Sequence, residues 1–560
     1  MFGVVHVPPS GHARAGIVLC PPLGKEHVDT YSGLKFLAQA LCDMGFAVLR
    51  FDYLGTGDSG ADQGADTAID DYLASIQEAV AYLRDSGAQT IGLVGLRMGA
   101  LMAALAVPLL ADVSHVVLWD PVTDGRRFLR EQRVLYRMLV GDQAGGGDDG
   151  CGGEPILGIE FSTAAARTLK GLALPAEIAQ SAEVLILARP ERVDDPRLMA
   201  LVATANCAFL ETNGQAEFVE PVSFVVEIPV DAVTAITSWL DARVPAGRHA
   251  VTPVIRPRAT VATLPDGSTV VEVIDELGPN RLFAIRTATT DLASDAPTLL
   301  IHNMAAQHRV GPGRVWVETA RDLAGRGLEV IRYDRRGTGD TGRATAEFAP
   351  IYSRIAKEDV HQAIAATDTP PDRLMMTGVC SGAWSSAYGA ISGGAKSVVL
   401  VNAIVYSLRQ IELGLERLIG LTPPEPGDSP PSATKHEVRQ FLKNLIRRWL
   451  PYPLWLQLGH LGLTQVPEVL LKQLRHKTAS VDIVLSPDDY AWFETQRGNQ
   501  GVARVGSPEW SPTVAVAPAG DHALLQRDLQ NFVRRYLAKV AARDFGVRSP
   551  LPTPVCGRTI

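Results

Sequence analysis

The chain contains the same pattern of sequence twice. The segment FDYLGTGDSG begins at Phe51, and YDRRGTGDTG begins at Tyr333, 282 positions later. GLRMGA begins at Gly95 and is matched, at an offset of 283, by GVCSGA beginning at Gly378. The units of solenoid proteins repeat every ~20–50 residues, and 560 residues exceed what one hydrophobic core usually organises. The sequence therefore predicts two copies of one complete domain.

We place the first domain at residues 1–245 and the second at residues 260–545. Between them, residues 246–259 (AGRHAVTPVIRPRA) are rich in Pro, Gly and Arg. Their apolar residues show no regular helical or strand spacing, as expected of a linker. Residues 546–560 follow the last amphipathic stretch and are predicted to form a flexible tail.

Each copy alternates short apolar runs with helical segments. The runs lie at 16–20, 46–52, 90–95 and 114–120 in the first copy, and at 298–302, 328–334, 374–378 and 396–402 in the second. This alternation predicts an α/β fold in each domain, with a mostly parallel sheet flanked by helices. Residues 269–287, with Gly-Pro-Asn in the middle, predict an antiparallel hairpin at the start of the second domain.

The composition excludes several classes of protein. Apolar residues make up 46% of the chain and charged residues 20%, as in globular proteins. A net charge of −8 is not that of a general nucleic-acid-binding protein. No apolar run reaches the ~20 residues of a membrane span, and the first residues do not resemble a secretory signal. The six cysteines form no CxxC pair, so we expect a cytoplasmic protein with no disulfide, metal or cofactor.

The turn after the third apolar run carries the candidate nucleophile. In the second copy it reads GVCSG over 378–382, with Cys380 at the apex between glycines. A Gly-x-nucleophile-x-Gly sequence forms a strained strand-to-helix corner, which exposes the nucleophile at a helix N-terminus. Because helix N-termini and histidines favour the thiolate, Cys380 is a candidate catalytic nucleophile.

An acid and a histidine follow in the order that such a corner requires. An apolar strand at 481–485 precedes Ser-Pro-Asp-Asp, and the run at 513–517 leads into Gly-Asp-His. We predict a triad of Cys380, Asp489 and His522, with Asp488 as the alternative acid. His522 would accept the thiol proton, and the acid would orient the imidazole ring.

The loop after the first central run of the second copy is the candidate for the oxyanion hole. The backbone N–H groups of Ser381 and Met304 are the predicted donors. Further along this loop, His308 and Arg309 either line the pocket or hold the loop in place through their polar side chains.

The first copy lacks this chemistry. Its corner carries Arg97, and a guanidinium cannot act as an acyl nucleophile. Residues 218–231, where a histidine is expected, contain none. Arg97 could bind an anion or form a structural ion pair, and we predict the ion pair. The first domain is therefore predicted to be a degenerate, non-catalytic copy.

These motifs resemble the α/β-hydrolase superfamily. The first half is similar to the arginine-elbow hydrolase associated with the exosortase A system, through PPLGKE, GLRMGA and LWDPVTDGRRFL. The second half is similar to the cysteine-elbow hydrolase of the same system, through HRVGPGR, YDRRGTGDT, GVCSGA, SPDD and GDH. Dienelactone hydrolase is similar in its Cys-His-Asp triad on this fold. The resemblance implies an acyl-transfer or hydrolytic enzyme and names no substrate.

A lid is predicted over residues 406–480. Its Pro-rich stretch (423–432) precedes a helical run with basic residues every fourth position, which are Lys435, Arg439, Lys443 and Arg447. These side chains either dock an acidic partner, such as an acyl carrier protein, or form a solvated helix face. Apolar residues on the other side of the helix indicate a hydrophobic acyl substrate.

The sequence thus favours a cysteine-dependent thioesterase, acyltransferase or cyclase that acts on an acyl thioester. The alternatives are an esterase or lactonase like dienelactone hydrolase, and a non-catalytic binding protein.

Overall fold

The computed structural model describes residues 1–140, 154–220, 226–347, 350–408 and 450–548. Its two large sheets, one in each half of the chain, have seven and nine strands, and helices lie on both faces. This confirms the predicted α/β architecture with two similar units. We call these units the first and second domains.

The sheet of the first domain is parallel except for its first strand. Its strand order is β1-β4-β3-β5-β6-β9-β10, and β1 runs antiparallel to β4. The strands of this half are β1 Gly3–His6, β2 His12–Ala13, β3 Gly16–Cys20, β4 Ala47–Phe51, β5 Ile91–Leu96, β6 Val113–Trp119, β7 Glu154–Ile156, β8 Ile159–Phe161, β9 Glu183–Ala188 and β10 Cys207–Glu211. The helices are α1 Lys25–Asp43, α2 Ala68–Asp85, α3 Met98–Ala106, α4 Gly125–Val140, α5 Thr163–Gly171, α6 Ile178–Ser181, α7 Pro196–Val202, α8 Gln215–Val219 and α9 Val230–Arg243.

The sheet of the second domain repeats this order and adds strands at its start. Its order is β12-β13-β14-β16-β15-β17-β18-β19-β20, in which β13 and β14 form the predicted antiparallel hairpin. The strands are β11 His249–Ala250, β12 Arg258–Thr263, β13 Thr269–Leu277, β14 Leu282–Thr289, β15 Thr298–His302, β16 Glu329–Tyr333, β17 Leu374–Val379, β18 Ala395–Val401, β19 Thr478–Leu485 and β20 Thr513–Val516. The described helices are α10 Val315–Ala324, α11 Arg354–Ala365, α12 Ser381–Gly393, α13 Tyr452–His460, α14 Pro467–Leu474, α15 Pro487–Thr495, α16 Gly498–Val505 and α17 Arg527–Phe545.

The central strands are buried along their whole length. All five residues of β3 and of β15 are buried, as are all six of β5 and β17. Continuous apolar strands suit a parallel sheet, because helices cover both of its faces. The parallel register aligns the carboxyl ends of β15, β17, β18 and β19 at one edge, where the loops of the second domain converge.

Both ends of the predicted linker take part in a sheet. His249 and Ala250 pair with β2 of the first domain, and Arg258 begins the edge strand of the nine-stranded sheet. Val251 is buried, and its N–H donates to the carbonyl of Gly11. The exact limits of the two domains remain a prediction.

The two domains meet through ion pairs that repeat with approximate two-fold symmetry. Arg332 of the second domain lies 2.5 Å from Asp58 of the first, and Arg50 of the first lies 2.5 Å from Asp340 of the second. Both arginines and both aspartates occupy equivalent positions, 282 residues apart. An interface in which the same patches face each other in this way is isologous, as in two-fold symmetric dimers.

The predicted basic stripe (Lys435, Arg439, Lys443 and Arg447) lies outside the described residues, as do positions 409–449 of the lid and 549–560 of the tail. The described part of the lid region contains α13 and α14, joined by an apolar cluster of Trp455, Val466 and Val469. None of the helices in the described ranges is long and apolar enough to cross a membrane.

Candidate active site

Cys380 lies at a strained corner between β17 and α12. Its backbone has φ 53° and ψ −112°, which is unusual for a residue other than glycine. A Cβ added to Gly382 would lie 2.3 Å from the carbonyl oxygen of His302, and one added to Gly378 would lie 2.4 Å from the carbonyl carbon of Gly382. The two glycines are therefore required, because only they allow β15, β17 and α12 to approach this closely.

The thiol lies at the N-terminus of α12 in apolar surroundings. Cys380 is the residue that precedes the helix, and 5% of it is exposed. Positive electrostatic potential at a helix N-terminus stabilises a thiolate. Its buried cluster includes Met304, Ala305, Ile351, Tyr352, Trp384 and Val405. The thiol therefore belongs to an apolar cluster and has little exposure to water.

The structure brings Asp489 and His522 together beside Cys380. Nδ1 of His522 lies 2.7 Å from Oδ1 of Asp489, which is buried at the start of α15. Asp488, which the sequence predicted as the alternative acid of the triad, is exposed. The contact with Asp489 uses Nδ1, and the same imidazole ring also forms a hydrogen bond with Cys380.

The surroundings of His522 raise the pKa of its imidazole ring. Burial by itself lowers the pKa of His522, but the negative charge of Cys380, a hydrogen bond with Asp489 and one with Cys380 raise it well above its usual value. A protonated histidine beside a cysteine favours the thiolate, which is the nucleophilic form of that side chain.

Three further residues hold the triad in place and were not found from the sequence. The side-chain amide of Asn402 donates to the carbonyl oxygens of Asp521 and His522, and its Oδ1 accepts from the N–H of Ser486. Ser486 Oγ donates to Asp489 at 2.6 Å. The carboxylate of Asp521 accepts from three backbone N–H groups of the histidine loop. The Ser-Pro-Asp-Asp sequence could have indicated Ser486, since it is a helix-capping pattern.

The oxyanion loop lies directly against the corner. Met304 is buried, and the N–H of Ala305 donates to Oγ of Ser381 at 2.8 Å. Ser381 is the first residue of α12, so its own N–H has no partner within the helix. Ser381 thus connects the loop to the helix end, and the two predicted N–H donors, of Ser381 and Met304, belong to adjoining segments.

His308 and Arg309 do not line a pocket beside Cys380, which corrects the first of the two interpretations of this loop. Arg309 is completely buried between the domains and lies within 3.0 Å of Asp58, Asp334 and Asp340. The ring of His308 stacks on Tyr31 of the first domain at 4.0 Å. Both side chains therefore fix the loop against the first domain.

Comparison with known families supports the fold. A model of the family described as Serine aminopeptidase, S33 (Hydrolase_4) matches residues 11–140, and no curated protein matches the chain. Those residues include the Arg97 corner, and the second domain repeats the same strand order. The protein has the α/β-hydrolase fold.

Solved structures of hydrolases resemble the chain distantly. A puromycin-hydrolysing peptidase of Mycobacterium tuberculosis is 15% identical over 52% of this chain, with a TM-score of 0.33, and the match spans 42% of the peptidase. Est1E of Butyrivibrio proteoclasticus, solved with ferulic acid, is 14% identical over 43% of this chain and 92% of its own, with a TM-score of 0.32. Dienelactone hydrolase of Anabaena variabilis is 10% identical over 49% of this chain and 98% of its own, with a TM-score of 0.31.

In the first α/β-hydrolase domain, an ion-pair network fills the place of the nucleophile. Arg97 has the same backbone conformation as Cys380, with φ 53° and ψ −117°. Its guanidinium lies 3.5 Å from both Glu26 and Asp120, and all three side chains are buried. Asp120 also binds Arg189. The predicted structural ion pair of Arg97 is confirmed.

The hydrogen bond between His522 and Cys380 leads to a prediction for the alkylation of Cys380. Because a protonated histidine stabilises a neighbouring thiolate, iodoacetamide should modify Cys380 of the wild-type protein faster at pH 7 than it modifies an isolated cysteine. In His522→Ala the rate at pH 7 should fall about tenfold or more and should rise with pH, since an isolated thiol is mostly protonated there. Mass spectrometry of the Cys380 peptide measures the rate.

Asp488→Asn is the matched control, because Asp488 lies next to the acid and is exposed. It should retain the wild-type pH profile. A His522→Ala profile equal to that of the wild type would contradict the pairing.

Proposed function

We propose that the protein is an acyl-transfer enzyme that takes an acyl group from a thioester onto Cys380. The observation that carries this proposal is the contact series Cys380–His522–Asp489, in which the His522 pKa is raised by the thiol and the acid. In this proposal the first domain is a non-catalytic copy, and the chain joins an arginine-elbow unit to a cysteine-elbow unit.

In the first half-reaction, the thiolate of Cys380 attacks the carbonyl carbon of the thioester. The carbonyl electron pair moves onto oxygen, and the N–H groups of Ser381 and Met304 stabilise the oxyanion. The oxyanion then collapses, the carbon–sulfur bond to the leaving thiol breaks, and that thiol takes the proton from Nε2 of His522. Asp489 holds the imidazole in the required orientation throughout.

In the second half-reaction, His522 accepts a proton from the acceptor as the acceptor attacks the acyl-Cys carbonyl. The tetrahedral intermediate collapses with Cys380 as the leaving thiolate, and His522 is again protonated. The acceptor is water in a thioesterase, an amine, alcohol or thiol in an acyltransferase, and an internal nucleophile in a cyclase.

The choice of cysteine favours a thioester donor. Acyl-Cys is itself a thioester, so acylation from another thiol is nearly balanced in free energy, and the acyl group stays activated. The apolar cluster around the sulfur limits access of water to that intermediate. A carrier-protein-bound acyl chain fits this chemistry, and the basic stripe of the lid remains the predicted docking site for such a carrier.

Intact-mass spectrometry with a panel of acyl thioesters tests the proposal. The protein should gain the mass of one acyl group, and peptide mapping should locate that group on Cys380. Failure of every thioester to acylate Cys380, with lactones or oxygen esters turned over instead, would favour the dienelactone-hydrolase-like alternative. Absence of any covalent adduct or turnover would favour the binding protein.

We further predict that the acyl group is transferred preferentially to an acceptor other than bulk water. Thioesters react more readily with amines, thiols and carbanions than oxygen esters do, and the site is apolar. With a competent acceptor present, transfer product should form at the expense of free acid. The measurement is the ratio of the two products to released thiol. If free acid matches thiol release with every acceptor tested, the protein is a hydrolase.

A further inference from the structure

We propose that the first domain forms one wall of the acyl pocket and thereby limits the size of the acyl group. This inference rests on the proposed function of Cys380. It assigns a role in substrate selection to a domain that has no nucleophile of its own.

A cavity of about 70 Å³ lies between the domains beside the catalytic loops. From the second domain it is lined by Ala305 and Ala306 of the oxyanion loop and by Ala523, which follows His522. From the first domain, Val28 and Ser32 of α1 line it. The cavity is thus bounded on one side by loops that adjoin the triad and on the other by a helix of the first domain.

The histidine loop also rests directly on the first domain. Leu525, three residues after His522, is buried in a cluster with Val140 and Leu157 of the first domain. Tyr136 of α4 packs against the same cluster, as does Ala523. Ala523 and Leu525 also line the cavity, so the histidine loop and the cavity share the same support from the first domain.

Buried hydrogen bonds fix α1 against the second domain. Tyr31 donates to Asp340 at 2.6 Å, and the ammonium group of Lys35 donates to the carbonyl oxygens of Gly339 and Thr341. Tyr31 also stacks on His308, which lies in the oxyanion loop. Since Val28 and Ser32 lie on the same helix as these anchors, the wall that they form cannot move freely away.

The wall has the chemistry of an acyl-binding surface. Val28 and Ile228 of the first domain and the alanines of the second are apolar, and Ser32 is small, whereas the second domain also contributes the polar residues Gln307, Thr345 and Glu347. Lys25 and Asp29 border the cavity and neutralise each other as an i,i+4 ion pair. A cavity of about 70 Å³ has room for more than one water molecule, which needs about 10–15 Å³ on the same measure, and for a short run of acyl carbons.

Two substitutions with opposite effects test the inference. Ser32→Phe fills the cavity from the first domain, whereas Val28→Ala enlarges it. We expect Ser32→Phe to lower kcat/KM at least about tenfold for thioesters of N-acetylcysteamine whose acyl chain is a few carbons longer than acetyl, relative to the acetyl thioester, since one methylene is worth about 10–200-fold in a fitted apolar pocket. Val28→Ala should shift the preference towards longer chains.

Glu78→Phe is the control, because it adds the same ring to the exposed face of α2. It should keep the wild-type chain-length profile. An equal loss for all chain lengths in Ser32→Phe, or unchanged profiles in both cavity variants, would overturn the inference. If the variants give either result while Cys380 of the wild-type protein is acylated normally, the proposed function still stands. Only failure of the wild-type protein to accept any thioester removes both.

Discussion

Replacing Cys380 by alanine is expected to abolish covalent acylation and to reduce turnover by about four orders of magnitude or more. The variant loses the atom that forms the acyl bond, and His522 loses a partner that raises its pKa. The fold should persist, since alanine adds no bulk at the corner. Intact-mass analysis and steady-state release of the thiol measure the two effects.

Arg97→Lys at the equivalent corner is the matched control. It keeps a positive charge between Glu26 and Asp120, so acylation of Cys380 should stay near the wild-type rate. Cys380→Ser offers a second comparison, because an acyl-serine ester should lose its acyl group to weak acceptors more slowly than the acyl-cysteine thioester does. Equal loss of activity in folded Cys380→Ala and Arg97→Lys would contradict the division of roles between the domains.

Replacing Arg309 by alanine is expected to destabilise the protein by about 3–5 kcal/mol. The Arg309 guanidinium is completely buried and compensates three carboxylates, those of Asp58, Asp334 and Asp340. Its removal leaves uncompensated charge between the domains, which is more costly than loss of the attraction alone. The midpoint and slope of denaturant unfolding measure the change.

Arg343→Ala is the control for this experiment. Arg343 also pairs across the domains, with Asp43, but both side chains are largely exposed. Exposed ion pairs contribute little to stability, so this variant should unfold like the wild type. Equal stability of the Arg309 and Arg343 variants would show that the buried network does not hold the domains together.

The same network predicts that the domain interface weakens in acid. Burial raises the pKa values of Asp58 and Asp340, but nearby arginines overcome this and hold both below the usual range. Groups with depressed pKa values stabilise the fold above the unfolded pKa of about 3.9, and that contribution is lost as pH falls further. Asp334, whose pKa is raised by burial, acts in the opposite direction. Because two carboxyl groups with lowered pKa values outnumber one with a raised pKa, the unfolding midpoint should fall as the pH drops below about 3.9, and an unchanged midpoint would contradict this prediction.

The sequence by itself determined the architecture and the candidate chemistry. Two repeated motifs at nearly constant offset predicted two similar α/β domains, because a whole folding unit retains the spacing of its strands and turns. Gly378 and Gly382 around Cys380 marked the corner, since only glycine permits the observed backbone approach. The order of Asp489 and His522 after it followed from local strand and turn patterns.

Only the tertiary structure decided how these residues meet and what surrounds them. It distinguished Asp489 from Asp488 by burial and a contact with His522, and it placed His308 and Arg309 between the domains. Asn402 connects the acid and histidine loops across 84 residues or more of sequence. Such contacts join residues that are distant in sequence. A sequence pattern indicates local backbone preferences and which positions are buried. It does not indicate which loops meet at one edge of a sheet.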